Sequence, residues 1–497
     1  MMKQETTLLE SKKQTYKGTL DLFNIYFFYS DANNRYMYDN NSGFLIAIND
    51  VDESIIDYYR DNISLKDLFQ HTPSEIEKSV KYIDAAINCG MLKKLPMITV
   101  DESLVEYLYK TESLNVLILI LGENCNMRCK YCIFGDCYDG IKSYTNKAMS
   151  FEVAKNAIDY FYESGKEKMK YGNKQDFGLT FYGGEPLLYF ETLKKIIEYC
   201  KDKKYPFNYA LTTNATLIND EICKFIVDNN INVTISLDGD EKETNRKRVL
   251  KDGSGAFDVI MENTTKLHNA YTNSSSERPQ VFNSCIDFAT NINEVEEFFE
   301  GLPLPKYVGI NPISDYNTTY YEQFTEEDKE QFNKRNLLKR KEIIKRETDD
   351  DRTGVLRNSF LLRHHSFRTR STRPNYLNAF PCIPGSRITV DTDGNFYLCE
   401  RINQQRSIGN INQGINYSAI VDLCKDLLNV HENHCKNCNV SRLCTLCFTS
   451  IIYNNEFNFD SKKCPAMRDT SYRIIQETVS ALEKNPTSFL YEFKEAE

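Results

Sequence analysis

The sequence lacks any run of about 18 apolar residues, which argues against a membrane-spanning helix. Its first residues, MMKQETTLLESKKQ, are polar and lack the apolar centre of a signal peptide, so we expect a cytoplasmic protein. Positive charge is not in surplus either: 61 Lys and Arg against 71 Asp and Glu give a net charge of -10. That balance argues against nucleic acid as a partner, and we expect neither a nucleic-acid nor a membrane partner.

Cysteine, in contrast, is abundant, with 16 among 497 residues. Disulfides rarely persist in a reducing cytosol, so metal binding or redox chemistry is the better interpretation. The cysteines are absent from 286–381 and cluster in 125–137 and 424–464. This clustering indicates sites rather than scattered core residues.

The length predicts roughly three domains. In residues 1–105, the strands of 17–50 turn at Asn-Asn-Ser-Gly, and helical patterns cover 53–61, 64–70 and 73–90. They predict a small unit of three strands and three helices. The alternative is a decoration that only packs on the main domain.

Residues 106–317 alternate apolar strands with helices, which predicts an α/β domain with a parallel sheet. An open doubly wound sheet and an incomplete barrel both fit the pattern, and both place chemistry at the carboxyl ends of the strands. The predicted strands are 115–121, 177–182, 207–213, 231–237, 280–288 and 307–311.

Residues 318–380 form a charged helical segment that leads into an arginine-rich stretch, which reads as a solvated face or as a contact for an acidic peptide. Residues 381–497 are cysteine-rich and end in a helical pattern over 465–484.

The strand NVLILIL runs into LGENCNMRCKYC, which spaces Cys125, Cys129 and Cys132 as C-x3-C-x2-C. Three thiolates on one loop can hold three irons of a cubane cluster and leave the fourth iron open. A zinc site is the alternative, although zinc favours paired C-x2-C motifs. Cys137 is close enough in sequence to be a fourth ligand.

This loop resembles that of the radical S-adenosylmethionine (SAM) superfamily, and further motifs at the ends of later strands support the resemblance. They are Tyr182-Gly183-Gly184-Glu185-Pro186, Thr212-Thr213-Asn214, Ser236-Leu237-Asp238-Gly239, Arg248 and Gly253-Ser254-Gly255. The resemblance implies a partial (β/α)6 TIM-like barrel. It also implies that Tyr182, Gly183, Gly184, Glu185, Thr213, Asn214, Ser236 and Arg248 bind SAM.

The same resemblance implies the chemistry. The three loop cysteines would bind a [4Fe-4S] cluster, and reductive cleavage of SAM would give a 5′-deoxyadenosyl radical that abstracts hydrogen from the substrate. Such enzymes take electrons from a donor such as ferredoxin or flavodoxin.

The C-terminal cysteines resemble a SPASM extension, which carries two auxiliary [4Fe-4S] clusters and would bring the total to three. By matching positions, Cys382, Cys399 and Cys447 would hold the first, and Cys435, Cys438, Cys444 and Cys464 the second. One spacing departs from the pattern, since two residues rather than three separate Cys444 from Cys447. Where some relatives carry another cysteine, this chain has Ile388, so the first auxiliary cluster is expected to have an open iron.

Other polar and thiol groups have less specific signals. Asp393, Glu400 and Arg401 flank the Cys399 turn and are candidate bases, or ordinary turn residues. The cysteines without ligand spacing are expected to be small buried hydrophobes, with Cys424 a possible extra ligand. They are Cys89, Cys200, Cys223, Cys285 and Cys424.

The N-terminal unit resembles the winged-helix-like elements that bind the leader of a ribosomally made precursor peptide as an added strand. Together these resemblances imply a peptide maturase. The preferred reaction is formation of thioether crosslinks, as in sactipeptides and ranthipeptides. The alternatives are carbon–carbon crosslinking, epimerisation, and formylglycine formation in a sulfatase.

Overall fold

The computed structural model describes residues 2–94, 99–111, 114–138, 144–169, 177–274, 278–369, 387–402, 405–447, 450–453 and 456–489. The helices are α1 (Met2–Tyr16), α2 (Asp50–Tyr59), α3 (Pro73–Asn88), α4 (Glu102–Thr111), α5 (Phe151–Met169), α6 (Phe190–Asp202), α7 (Asp220–Asp228), α8 (Glu241–Lys247), α9 (Phe257–Asn273), α10 (Ile292–Gly301), α11 (Glu326–Thr348), α12 (Arg357–Thr369), α13 (Tyr417–Val430) and α14 (Cys464–Lys484). Within the described residues, no helix has the length and apolar character needed to cross a membrane.

The strands form a three-stranded N-terminal sheet, a ten-stranded central sheet and a short C-terminal hairpin. They are β1 (Ile25–Tyr29), β2 (Arg35–Asp39), β3 (Leu45–Ala47), β4 (Val116–Ile120), β5 (Phe177–Tyr182), β6 (Phe207–Thr213), β7 (Asn232–Ser236), β8 (Gln280–Ile286), β9 (Lys306–Pro312), β10 (Arg387–Val390), β11 (Asn395–Tyr397), β12 (Gly409–Asn410), β13 (Gly414–Ile415), β14 (Ile452–Tyr453) and β15 (Glu456–Phe457).

The N-terminal sheet is antiparallel, in the order β1-β2-β3, and its β2–β3 hairpin turns at the Asn-Asn-Ser-Gly segment. One face, with Ile25 and Met37, packs against the neighbouring helices. The other face, with Phe28 and Tyr38, packs against the C-terminal part of the chain. Burial on both faces explains why IYFFY is apolar throughout instead of alternating. Helix α1 is an element that the sequence analysis did not predict.

Six parallel strands, β4 to β9, lie side by side in chain order. A doubly wound sheet would reverse direction at a switch point, so this order is that of a partial barrel. The prediction of a parallel α/β core is therefore confirmed. Side chains such as Leu119, Phe181 and Ile235 lie in its buried core.

The C-terminal hairpin β10–β11 extends this central sheet. Strand β10 pairs in parallel with β4, with Leu119 opposite Val390, and β12 and β13 follow on the outside. This hairpin belongs to residues 381–497, which the sequence predicts as a C-terminal domain. It covers the apolar strand β4, which would otherwise have an unpaired edge.

Two arginines of the segment 318–380 are bound to other parts of the structure. Arg357 Nη2 lies 2.6 Å from Glu347 Oε2, with both side chains largely buried. Arg352 Nη2 donates to the Thr487 carbonyl at 3.2 Å. Arg357 therefore ties α12 to α11, and Arg352, between these helices, holds the C-terminal residue Thr487. Arg370 and Arg373 lie outside the described residues.

Candidate active site

A cavity of about 310 Å³ opens at the carboxyl ends of the central strands. Its lining includes every residue predicted from the resemblance to bind SAM and its cluster, namely Cys125, Cys129, Cys132, Tyr182, Gly183, Gly184, Glu185, Thr213, Asn214, Ser236 and Arg248. The fold thus brings together residues from the ends of β5, β6 and β7, from the cysteine loop after β4 and from the end of α8.

The cysteine loop follows β4 and is held by main-chain hydrogen bonds to the segment after α8. The Arg128 N–H donates to the Val249 carbonyl at 2.8 Å, and the Lys130 N–H to the Lys247 carbonyl at 2.9 Å. Inside the loop, the Cys132 N–H donates to the Cys129 carbonyl at 3.1 Å. These contacts fix the backbone between the cysteines from outside the loop.

The thiols of this loop are buried next to polar groups. Asn214 Nδ2 lies 3.8 Å from Cys125 Sγ, and Arg248 Nη1 lies 3.8 Å from Cys129 Sγ. Burial raises the pKa of Cys125 to about 11, and the nearby Glu185 and Cys132 add to the shift. Burial likewise raises the pKa of Cys129 to about 12, against the lowering effect of Arg248. Thiolates in this position need a bound cation, so the donor set fits an iron cluster.

Among the residues that the structure describes, no three Cys, His, Asp or Glu side chains form a site for a single metal ion. Cys137 lies outside the cavity lining, with its Sγ 4.0 Å from the Cys132 carbonyl oxygen.

The glycines after β5 let the backbone approach the base of the cysteine loop. The Gly184 N–H donates to the Gly122 carbonyl at 2.9 Å, and the Glu185 N–H to the Asn124 carbonyl at 3.0 Å. A Cβ atom at Gly184 would overlap the Asn124 carbonyl oxygen. A side chain at this position would therefore push the loop away from the strand end.

Glu185 is 1% exposed, and its carboxylate accepts three hydrogen bonds. The donors are the Leu187 N–H at 3.0 Å, the Thr213 hydroxyl at 2.7 Å and the Asn214 N–H at 2.8 Å. Burial raises the pKa of Glu185 to about 7, although these three donors lower it. A nearby ammonium group would favour the charged form, so this carboxylate fits the amino group of SAM.

Asp238, at the end of β7, connects several groups of the cavity wall. Its carboxylate lies 3.1 Å from Arg248 Nε and accepts from the Tyr131 hydroxyl and from the Cys285 N–H at 3.0 Å. Burial opposes charge on Arg248, but Asp238 keeps the pKa of this guanidinium well above its ordinary value. Arg248 is therefore charged in the cavity and fits an anionic group such as a carboxylate.

Several residues that line the cavity were not predicted from the sequence, among them Tyr131, Tyr144, Asn283, Cys285 and Asn311. Alternation along β8 carried a usable signal, because its odd-numbered positions face the cavity and are less buried than the even-numbered ones.

Two of the five cysteines without ligand spacing are not buried hydrophobes as predicted. Cys285 is half-buried and lines the cavity, and Cys89 is exposed at the end of α3. Cys200, Cys223 and Cys424 are buried, as predicted.

Three residues of the cysteine-rich segment reach the same cavity, Arg401, Cys447 and Ser450. Burial raises the pKa of Cys399, and Glu400 and Cys447 add to the shift. Glu400 accepts from the Cys399 thiol at 3.4 Å. Cys382, predicted to join this site, lies outside the described residues. Asp393 points elsewhere and pairs with Lys147 at 2.6 Å on the surface.

The remaining four predicted ligands, Cys435, Cys438, Cys444 and Cys464, line one small pocket. Burial raises the pKa of Cys435 to about 12, and the other three thiols contribute in the same direction. The shared lining of this pocket brings the four thiols together in the fold. Their convergence fits a four-thiolate cluster site.

Residues 119–299 match the Radical SAM superfamily. The cysteine-type anaerobic sulfatase-maturating enzyme of Clostridium novyi is 24% identical over 353 residues, which cover 67% of this chain and 87% of that enzyme. The radical SAM cyclopropyl synthase TigE of Paramaledivibacter caminithermalis is 26% identical over 231 residues, covering 44% of this chain and 45% of TigE. An uncharacterized Methanocaldococcus jannaschii protein is also similar, and the match spans only 38% of it. The chain thus matches less than half the length of the last two.

The fold is similar to that of native anSMEcpe with bound AdoMet, with a TM-score of 0.54 and 19% identity over 74% of this chain and 97% of that one. This likeness agrees with the parallel strand order and with the cavity at the strand ends. The chain is therefore an enzyme that carries a radical SAM domain in residues 119–299.

Proposed function

We propose that this enzyme installs thioether crosslinks, from a cysteine sulfur to a carbon, in a ribosomally made precursor peptide. The observation that carries the proposal is the shared cavity: Cys447 and Arg401 of the cysteine-rich segment line the same space as Glu185 and the first cysteine loop. A peptide cysteine in this cavity would be close both to the radical site and to a second metal site.

In the proposed enzyme, Cys125, Cys129 and Cys132 hold a [4Fe-4S] cluster, Glu185 accepts from the SAM ammonium, and Arg248 pairs with the SAM carboxylate alongside Ser236. When bound and reduced, the cluster and SAM supply a 5′-deoxyadenosyl radical that removes a hydrogen atom from the substrate. The protein positions these groups and keeps water out with the buried walls of the cavity. The electrons would come from a carrier such as ferredoxin or flavodoxin.

The first auxiliary cluster would be held by Cys399, Cys447 and Cys382. Ile388 is buried within β10, so position 388 supplies no additional ligand. Three protein thiolates would leave one coordination position for the substrate cysteine, which both positions and activates its sulfur. The four-cysteine pocket would hold the second auxiliary cluster.

The precursor peptide would be captured by its leader at the N-terminal sheet. Among the described residues, β3 pairs only with β2, so its outer edge is available to an added strand. Phe44 and Tyr82, both more than 40% exposed, flank this edge and offer apolar contacts to leader side chains. In solved structures, native anSMEcpe has been seen with AdoMet and a peptide, the Kp18Cys peptide.

Formylglycine formation in a sulfatase is the second candidate. The similarity to the sulfatase-maturating enzyme of Clostridium novyi, which extends over 87% of that enzyme, favours it. Carbon–carbon bond formation or epimerisation would use the same cavity, and TigE is a cyclopropyl synthase.

Mass spectrometry after anaerobic turnover separates these reactions. The substrates are a cysteine-containing peptide encoded beside the gene and a cysteine peptide from a sulfatase. Thioether formation predicts that the first loses two hydrogens per crosslink and that the linked cysteines resist alkylation. Full alkylation without a mass change would refute the proposal, and conversion of the sulfatase peptide alone would favour the second candidate.

A pair of cysteine variants tests the auxiliary site. Cys447→Ser should abolish crosslinking and lower the iron content, while cleavage of SAM to 5′-deoxyadenosine continues. Cys424→Ala is the matched control, because Cys424 is buried in the apolar core on α13 and should leave both readouts unchanged. Loss of iron in Cys424→Ala would instead make Cys424 a ligand.

A further inference from the structure

The N-terminal sheet contacts the loop that carries the C-terminal cysteines. Its second face packs on this loop and on α14 in one apolar cluster. The cluster contains Phe28, Tyr38, Val440, Leu443, Ile475 and Val479, with Cys438 packed against it. The loop 435–444 is thus sandwiched between the four-thiol pocket and the sheet.

A buried group of polar contacts in this interface comes from the β2–β3 turn. The Asn40 side chain, 2% exposed, accepts from the Arg442 N–H at 2.9 Å and donates to the Ser441 hydroxyl at 2.9 Å. Arg442 Nη1 donates back to the Asn41 carbonyl at 3.3 Å. A Cβ atom at Gly43 would press on the Arg442 side chain, so the turn fits closely against this part of the loop.

Two further hydrogen bonds hold the same loop from the N-terminal side. Asn24 Nδ2 donates to the Lys436 carbonyl at 2.8 Å, and Asn439 Nδ2 donates to the Ile25 carbonyl at 3.3 Å. The loop itself has only short turns, such as the Cys438 N–H to the Cys435 carbonyl at 2.9 Å. Contacts from outside therefore contribute much of what fixes the spacing of its cysteines.

We propose that Asn40 is a positioning residue for the four-cysteine site, so that the N-terminal sheet and the second auxiliary cluster stabilise each other. This inference rests on the proposed cluster at Cys435, Cys438, Cys444 and Cys464. Removing the Asn40 side chain takes away the acceptor of the buried Arg442 N–H and loosens the loop. Iron bound there should then be lost about tenfold faster or more, as expected for an unsatisfied buried group.

The test uses the full chain, reconstituted with iron and sulfide under anaerobic conditions. The rate of iron release to a ferrous chelator is measured, together with the electron paramagnetic resonance spectrum of the reduced protein. Asn40→Ala should speed the release of one cluster's share of iron and change one spectral component. Ser441→Ala removes one of the two Asn40 contacts and should have a smaller effect. It replaces Asn40→Ala in the test if that variant does not fold.

Tyr36→Phe is the matched control. It removes a hydrogen bond to Glu483 of α14, 2.7 Å long, at the same interface but away from the loop, and should release iron at the wild-type rate. Equal release rates in wild type, Asn40→Ala and Ser441→Ala would overturn the inference. Faster release in Tyr36→Phe to the same extent as in Asn40→Ala would do so as well.

The cysteine variants separate this failure from failure of the proposed function. If Cys438→Ser and Cys464→Ser keep the wild-type iron content, the four-cysteine cluster itself is wrong. If they lose iron while Asn40→Ala does not release it faster, only the positioning role is refuted.

Discussion

Arg248 and Asp238 form a buried ion pair in the cavity wall, with Nε 3.1 Å from Oδ1. Asp238 also lies 3.7 Å from Lys247 Nζ and accepts from the Tyr131 hydroxyl. It therefore compensates two buried cations and orients the aromatic ring between Cys129 and Cys132.

Asp238→Asn should destabilise the protein and weaken SAM binding. Removing one partner of a buried ion pair costs about 3–5 kcal/mol, because the other charge stays buried. Denaturant unfolding measures the loss, and equilibrium dialysis of the reconstituted protein measures SAM affinity. The control, Asp252→Asn, changes an exposed carboxylate that caps a local turn and should shift stability by less than about 0.5 kcal/mol. Unchanged SAM affinity in Asp238→Asn would contradict the role of Asp238 in orienting Arg248.

SAM affinity should depend on pH through Glu185. Its pKa of about 7 is raised by burial, so the carboxylate is mostly protonated below that pH and mostly charged above it. A bound ammonium favours the charged form, which makes SAM bind more tightly as the pH rises. Between about pH 6 and about pH 7, where an α-amino group is still mostly an ammonium, the gain should be about fivefold. Glu185→Gln should bind more weakly and lose this slope, whereas a slope that persists in the variant would assign it to another group.

Gly184→Ala should weaken the first cluster site, since the added methyl group meets the Asn124 carbonyl just before Cys125. The expected readouts are lower iron content and loss of SAM binding after reconstitution. Gly301→Ala, at the end of α10, is the control because no atom lies within 4 Å of the added Cβ. If both variants retain full iron, the close approach of strand end and loop is not needed for the cluster.

Local sequence patterns predicted the parallel core and a set of residues that the fold brings to one cavity. Apolar runs of five to nine residues predicted β4 to β9, and the motifs at their ends meet because parallel strands share one carboxyl edge. The pairing of β10 with β4 could not be predicted, because it joins segments some 270 residues apart (Val116 and Arg387) without a local signal.

The role of Asn40 was equally hidden. In the sequence Asn40 is an ordinary hairpin residue, and only the contact with Ser441 and Arg442, about 400 positions away, gives it another task. The prediction that Cys285 is a buried hydrophobe was wrong for a different reason. Its spacing resembles no ligand motif, and the sequence does not show which face of β8 lines the cavity.

The outer edge of β3, which pairs with no other strand among the described residues, provides the last prediction. The Ile48 N–H donates to the Arg35 carbonyl of β2, so the N–H and carbonyl of the preceding residue, Ala47, point away from β2. The Ala47 carbonyl accepts from the Tyr82 hydroxyl at 2.8 Å. Ala47→Pro removes this N–H without breaking the hydrogen bonds between β3 and β2. Binding of the full precursor should weaken at least about fivefold, which is the effect of one lost hydrogen bond. Fluorescence anisotropy with labelled precursor and with a leaderless peptide measures this, and the leaderless peptide should bind equally to variant and wild type. Ala47→Ser, which keeps the N–H, is the control. Equal precursor affinity in all three proteins would place the leader elsewhere.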